Sequence, residues 1–379
     1  MQFPIRLALL LRPTVKIGIL LAVGFSVLAF VSTPFLLSEI SDHYDISLGA
    51  ASLIGVFQLG GFVVTSWGAG RWLQPRGWVF VTSLGAAAAA NLASAALPAF
   101  AALVALRLLS GFALGLVAWY GWVQAFGDSR RMDDVAVTGP MVGLVAAPLV
   151  SVLLTAGGAR LVFASLAAVS LIPLAFGYRS AVDHLPRTTT RNRAVPAARI
   201  LLICLGLFTL GGSSVFVFAV VLGTGNAAMS VTVIAIGFSL NALVAIPAVR
   251  WKAPRKIPSP PMAAAAACLI LVATSTQPWL FFSALVAWGF FFWLAIPGVF
   301  EVLASRSRYP EERAGDAQAV MAAGRAGGPL MGGLLIDGLG TTALGIAGAG
   351  LVLISAIGVF TVRNVAPPLQ DARSTTSTP

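Results

Sequence analysis

Arg71-Trp72-Leu73-Gln74-Pro75-Arg76 and Arg250-Trp251-Lys252-Ala253-Pro254-Arg255 both read R-W-x-x-P-R, 179 positions apart. Each stands in a short basic gap between two long apolar runs. A second pair keeps nearly the same offset: Gly143-x-x-x-Ala147-Pro148 and Gly324-x-x-x-Gly328-Pro329 lie 181 positions apart. Two matches at one offset, each at the same place in its apolar run, read as a duplication of one unit of roughly 180 residues, the kind of internal repeat that builds two-fold membrane architectures.

Composition sets the class. Hydrophobic residues are 58% of the chain and charged residues 10%, against roughly a quarter charged in soluble domains, so an integral membrane protein is expected. The net charge of +11 would point to nucleic acid in a soluble chain; in a membrane chain it first asks on which side the basic residues lie. Cys204 and Cys268 both fall inside apolar runs, so neither a disulfide framework nor a metal cluster is indicated. No cofactor and no metal are expected.

The apolar runs are long enough to cross the ~30 Å hydrocarbon layer, which takes about 20 helical residues. The first, Val15–Leu37, follows Arg6 and Arg12 and reads as an uncleaved signal anchor, because further spans follow at once. The stretch Ser38–Ser47 holds Glu39, Asp42, His43 and Asp45 without Lys or Arg and is expected outside. Further spans are read at Gly49–Gly68, Trp78–Leu97, Ala101–Phe126, Val135–Ala156 and Leu161–Gly177, then at Ile200–Leu222, Met229–Val249, Met262–Thr274, Trp279–Leu303, Gly315–Leu339 and Ala343–Val362. The expected fold is all-α, with twelve transmembrane helices in two pseudo-symmetric six-helix halves. The first half is 1–178, a basic cytoplasmic linker is 179–198, the second half is 199–366, and 367–379 is a disordered tail. With the amino terminus inside, all but three of the 24 Lys and Arg residues fall on the cytoplasmic side, the exceptions being Arg107, Arg160 and Arg325. That bias is the positive-inside pattern. It places both termini in the cytoplasm, with the chain as a multi-pass protein of a cell membrane, the bacterial inner membrane in the first instance. It also removes nucleic acid as a partner, since the charge is spread over short loops without aromatic interleaving.

Inside the spans, the residues that stand out are of three kinds. Small residues every fourth position, as in the two Gly-x-x-x-small-Pro stretches, let helices approach closely where lipid removes the hydrophobic drive; Gly143, Pro148, Gly324, Gly328 and Pro329 are read as packing or flexing positions. Arg107 and Arg325 lie within spans, where an arginine costs at least a few kcal/mol and faces a protein or water-filled interior. Structural and functional readings stand for each: Arg107 bonds backbone carbonyls or an anionic solute, and Arg325 snorkels, meets Glu301, or binds that solute through its planar fork. The third kind comprises in-membrane aromatics and amides: Trp119, Tyr120, Phe208, Phe216, Trp288 and Trp293, with Gln58, Asn91, Ser213, Ser214 and Asn241.

The layout resembles the major facilitator superfamily. That family's loop between spans 2 and 3 reads like G-x-x-x-D-R-x-G-R-R; here Gly68 and Arg76 match, Arg71 and the second copy's Arg250 and Arg255 keep the loops basic, Trp72 stands in the place of the acid, and Pro75 in that of the second Gly. Arg107-Leu108-Leu109-Ser110-Gly111 is similar to the family's R-x-x-x-G pattern, and Gly139-x-x-x-Gly143-x-x-x-Ala147-Pro148-x-x-Ser151 to a pattern met in its exporters. The resemblance implies a secondary transporter working by alternating access, with spans 1, 4, 7 and 10 lining a central cavity. On that basis Arg107, Arg325, Tyr120, Trp288, Trp293, Asn241 and Gln58 are the expected solute contacts.

A solute carrying its own negative charge would satisfy two arginines that lack acidic partners, so an organic anion is the expected cargo. Export of an amphipathic drug or metabolite is the alternative, and a transport-inactive sensor or scaffold the alternative of another class. The chain is read as a monomer in the lipid bilayer whose partner is a small molecule. An enzyme is not expected: the two histidines, His43 and His184, lie in loops on opposite sides, and the H-E-x-x-H, G-x-S-x-G and G-x-x-x-x-G-K-[ST] motifs are missing from the sequence.

Overall fold

A computed structural model of the chain describes residues 15–125, 129–178, 193–251, 257–308 and 310–365. Most of the expected linker, residues 179–192, lies outside these, as do Arg255, the side chains of Arg71 and Arg250, and the tail from residue 366. All regular structure among the described residues is helical: α1 (Ile17–Tyr44), α2 (Leu48–Trp72), α3 (Gly77–Ala95), α4 (Phe100–Ala125), α5 (Ser129–Leu171) with a 3-10 turn at Ile172–Ala175, α6 (Pro196–Phe216), α7 (Ala219–Gly225), α8 (Val231–Arg250), α9 (Ser259–Thr274), α10 (Pro278–Ser305) and α11 (Pro310–Val365). Among the described residues, nine helical stretches are long and apolar enough to cross a membrane, and α9 is a shorter apolar helix. Leu334, Leu339, Ile346 and Ile357 are all more than 60% exposed, a surface that water would not tolerate and acyl chains would. This is a multi-pass membrane protein.

Local chemistry explains where the helices stop. α5 and α11 are each interrupted at a glycine where the sequence reading turns the chain. Gly158 (φ 64, ψ −162) and Gly340 (φ 82, ψ −178) hold backbone angles open to glycine alone. α2 starts on Ser47, whose hydroxyl accepts from the Ala50 N–H at 3.1 Å and satisfies one of the four orphan donors of a helix start. α9 begins at Ser259, earlier than the expected Met262, because Pro260 and Pro261 fit the first turn, where no N–H is needed. The expected span Val15–Leu37 is corrected at its end: α1 runs on through Glu39 and Asp42 to Tyr44, since nothing between Phe35 and Tyr44 breaks a helix, and it closes on Asp45 in the left-handed conformation (φ 52). The expected span Ile200–Leu222 is interrupted after Phe216. Thr209, Ser213 and Ser214 each donate a hydroxyl hydrogen bond back to a carbonyl of the preceding turn, at 3.0, 2.7 and 2.8 Å, a habit that bends helices.

The helices group into two compact units, one of residues 1–187 and 231–243, the other of 188–230 and 244–379, so the first part of α8 groups with the amino-terminal helices. In the first unit α2 packs on α4 through missing side chains. A Cβ on Gly61 would lie 2.9 Å from the Phe112 nitrogen, one on Gly111 2.8 Å from the Gln58 carbonyl carbon, and one on Gly115 3.1 Å from the Phe62 Cα. The contact is closed by the Thr65 hydroxyl, which donates to the Phe112 carbonyl at 3.0 Å. Gly24 of α1 meets Val142 and Thr138 of α5. In the second unit Gly324, Gly328 and Gly332 of α11 lie against Gly206, Thr209, Ser213 and Ser214 of α6. Gly24 and Gly206 are 182 positions apart, and so are their α5 and α11 neighbours Thr138 and Val320. Each unit thus repeats one helix contact, close to the 179 and 181 offsets of the two sequence matches.

Candidate functional site

Arg107 sits in α4 with 2% of its surface exposed. Its guanidinium is held by α3: Nη1 donates to the Asn91 side-chain oxygen at 2.9 Å, and Nη2 to the Ser94 hydroxyl at 2.6 Å and the Ala90 carbonyl at 3.2 Å. The cation lies 4.6 Å from the ring centroid of Phe163, beyond the α5 break, close enough for cation–π attraction. Each of these partners is neutral, so the charge is solvated by dipoles and a π face. Each charge-assisted hydrogen bond of this kind contributes about 1.5–3 kcal/mol. Of the two readings of Arg107, this is the one in which it bonds its own protein. Asn91 was among the polar residues the sequence singled out; Ser94 and Phe163 were not. Ser94, three residues after Asn91 on the same face of α3, was the available signal.

Tyr120 is fully buried. Its ring stands 5.1 Å from Phe80, which stacks in turn on Tyr178, and its hydroxyl points to the Tyr178 carbonyl at 3.4 Å. Gln58 is buried where Gly111 crosses its backbone, and Asn241 is buried in α8. Gly68 is buried at the end of α2, and Arg76, exposed, donates Nε to Gln74 at 3.2 Å. On α5, a Cβ at Gly143 would come within 3.2 Å of the Ala242 Cβ of α8, which makes Gly143 a packing position. Pro148 and Pro329 lie inside α5 and α11.

The second unit gathers the remaining expected contacts. Trp288 and Trp293 belong to a chain of rings between α6 and α10. Phe208 stacks on Phe292 at 5.0 Å and 10°, Trp288 lies 5.1 Å from Phe292, and Trp293 meets Phe292 edge-on at 5.6 Å. Gly212 makes the room: a Cβ there would be 2.7 Å from the Trp288 ring. Phe292 is the member that sequence reasoning missed, hidden in the run Phe290-Phe291-Phe292, where composition cannot say which ring turns inward. Arg325, one residue after the Gly324 contact, is half-buried within α11 and makes no hydrogen bond or ion pair among the described residues. The next two residues in sequence, Ala326 and Gly327, offer it no polar side chain.

The arrangement of helices has clear counterparts. The chain superposes on the human organic anion transporter MFSD10 (TETRAN) with a TM-score of 0.62 at 17% identity, over 90% of this chain and 98% of that one. It superposes on a bacterial homolog of the human lysosomal transporter Spinster, in an inward-facing and occupied conformation, with a TM-score of 0.67 at 12% identity, over 95% and 96% of the two chains. A POT family transporter in complex with 5-aminolevulinic acid gives 0.69 at 12% identity, over 91% and 95%. The fold is the one these solved transporters share. No family model and no curated relative matches the sequence. The likeness therefore lies in the fold rather than in the sequence.

Proposed function

We propose that this chain is a secondary transporter that carries a small organic anion across the membrane by alternating access, with Arg325 as the group that meets the solute's charge. The observation that carries the reading is Arg325 itself: a half-buried guanidinium inside an apolar helix, without a hydrogen bond or ion pair among the described residues. Such a charge costs at least a few kcal/mol in a membrane, and a bidentate oxyanion is the ligand that a guanidinium fork fits. Arg107 differs in that α3 already supplies its partners; together with Tyr120 and Gln58 it belongs to the frame of the first unit in this reading. One neighbour in fold is described as an organic anion transporter, which makes the class familiar to the fold without fixing the solute.

The transmembrane layout in this reading is twelve crossings in two six-helix halves: the nine long apolar stretches, with α5 and α11 each divided at its glycine break, and α9 as a short crossing. Both termini and the 179–198 linker are cytoplasmic, the membrane is a bacterial inner membrane, and the chain works as a monomer without cofactor.

The deciding experiment is flux into proteoliposomes across a panel of organic anions and amphipathic drugs. Wild type takes up at least one anion, Arg325→Gln abolishes that uptake, and Arg107→Gln acts through stability. Uptake at the original rate by Arg325→Gln, or flux confined to neutral or cationic solutes, overturns the reading.

A further inference from the structure

The second segment of α11 presents an apolar stripe to the bilayer. Leu353, Ile357 and Phe360 are each more than 40% exposed, at the three- and four-residue spacing that shares one helix face. Asn364, four residues beyond Phe360, continues that face and is exposed. The stripe thus ends on an amide, as a lipid-facing helix does where hydrocarbon gives way to headgroups.

Two guanidinium groups are drawn to this end of the helix. Arg363 donates Nη1 to the Asn364 side-chain oxygen at 3.2 Å, which turns its side chain toward the lipid-facing stripe. Arg306, the residue that closes α10, donates Nη2 to the Arg363 carbonyl at 2.8 Å and Nη1 to the Ser305 hydroxyl at 3.1 Å. The bond between helices satisfies a carbonyl in the last turn of α11, and it also brings a second cation to the residue that carries the first. Arg308, exposed, follows two residues later. The hydrogen-bond partners of Arg306 and Arg363 are neutral, and no carboxylate among the described residues pairs with either. Glu301 stands five residues before Arg306, about 140° around α10. Two like charges are therefore tethered to adjacent residues, 363 and 364, at the foot of an apolar stripe.

We propose that Arg306 and Arg363 bind the phosphodiester headgroup of an anionic phospholipid whose acyl chains lie along Leu353, Ile357 and Phe360. Planar guanidinium forks fit phosphate oxygens in pairs. The adjoining stripe calls for a ligand with a hydrocarbon tail, which inorganic phosphate and soluble metabolites lack. Basic groups gathered between helix ends recognise lipid headgroups in this way. All of these residues belong to one unit, and the site requires nothing of Arg325. In the layout proposed above it faces the cytoplasmic leaflet.

The test uses the full chain in a neutral detergent, titrated separately with phosphatidylglycerol, with phosphatidylcholine of the same acyl chains, and with inorganic phosphate. Native mass spectrometry reads bound lipid, and thermal midpoints read its effect. Wild type retains phosphatidylglycerol and is stabilised by it, and not by phosphatidylcholine. Arg306→Gln and Arg363→Gln each weaken phosphatidylglycerol binding about fivefold. Arg199→Gln, which removes one exposed charge at the start of α6, leaves that binding unchanged. Arg363→Gln, whose side chain holds only Asn364 among the described residues, serves if loss of the Arg306 cap unfolds the chain. Phosphatidylglycerol binding equal in wild type and the folded glutamine variants overturns the site. An equal loss in Arg199→Gln also overturns it, by reducing the effect to net charge. A midpoint shift reproduced by inorganic phosphate alone overturns the lipid as occupant and makes the ligand a soluble anion.

Discussion

The carboxylate of Glu39, in the last turns of α1, accepts the backbone N–H of Ala159 at 2.6 Å. Ala159 opens the second segment of α5, and the side chain that Gly158 lacks would overlap that carboxylate. A helix start that would otherwise leave an orphan donor is thus capped by a residue 120 positions away, with the charge placed at the positive end of the helix dipole. Glu39→Ala should cost about 1–2 kcal/mol, in the range of lost helix caps, and Glu39→Gln, which keeps the acceptor and drops the charge, should cost less. Thermal midpoints in detergent read the order wild type, Gln, Ala.

Arg107 and Asn91 should be energetically coupled. Arg107→Met removes the donor that the Asn91, Ser94 and Ala90 acceptors share, and the expected loss is about 1–3 kcal/mol, the cost of leaving a buried polar group unsatisfied. The cycle with Asn91→Leu should return a coupling energy of about 0.5–3 kcal/mol. Arg107→Lys should not rescue, because one ammonium cannot reproduce the flat fork over Phe163. Equal stability of the lysine variant and wild type would remove the cage as the reason for the arginine.

Glycine substitutions on α11 should have opposite signs at two positions. A Cβ on Gly328 would strike Ser213 and come within 2.8 Å of the Ser214 nitrogen, whereas Gly350 has nothing within 4 Å. Gly328→Ala should destabilise by about 1–3 kcal/mol, as overpacking does, and Gly350→Ala should stabilise by about 0.4–1 kcal/mol through the unfolded chain. Melting curves of the two variants, side by side, check the sign.

Sidedness follows from where the basic residues lie. Cysteines at Asp42 and Ala228, both exposed, should react with an impermeant thiol reagent added to intact cells, and one at Thr189 should not. Cys204 and Cys268 are buried, so the background is low. Labelling at Thr189 from outside would invert the layout.

Much of this architecture was legible because membrane helices are written in long, simple stretches. The turns at Gly157-Gly158 and near Gly340, the close contacts of Gly111, Gly324 and Gly328, and the interior positions of Arg107 and Trp288 all followed from residue type and spacing. What stayed hidden was partner choice. Glu39 read only as one acid of an outer stretch because its acceptor role depends on a backbone donor 120 residues on, which no side-chain pattern announces. Arg107 and Arg325 looked alike, as lone arginines in apolar runs; only three-dimensional contact shows that one has an amide and a hydroxyl within reach, while among the described residues the other has none. The interruption after Phe216 was missed because hydroxyls that bend a helix and hydroxyls that merely sit in one are the same letters.

α6 is held from two sides by one polypeptide. The first segment of α11 meets it at Gly324 and Gly328, and the second returns to it at Gly348, where a Cβ would be 2.9 Å from the Gly211 carbonyl, and at Ser355, which donates to the Cys204 carbonyl at 2.6 Å. A rod splinted along its length cannot flex in the middle. The splint reaches the joint with α7 as well, where a Cβ on Gly332 would come within 2.8 Å of the Phe218 ring, so a push along α11 is handed on to the start of α7.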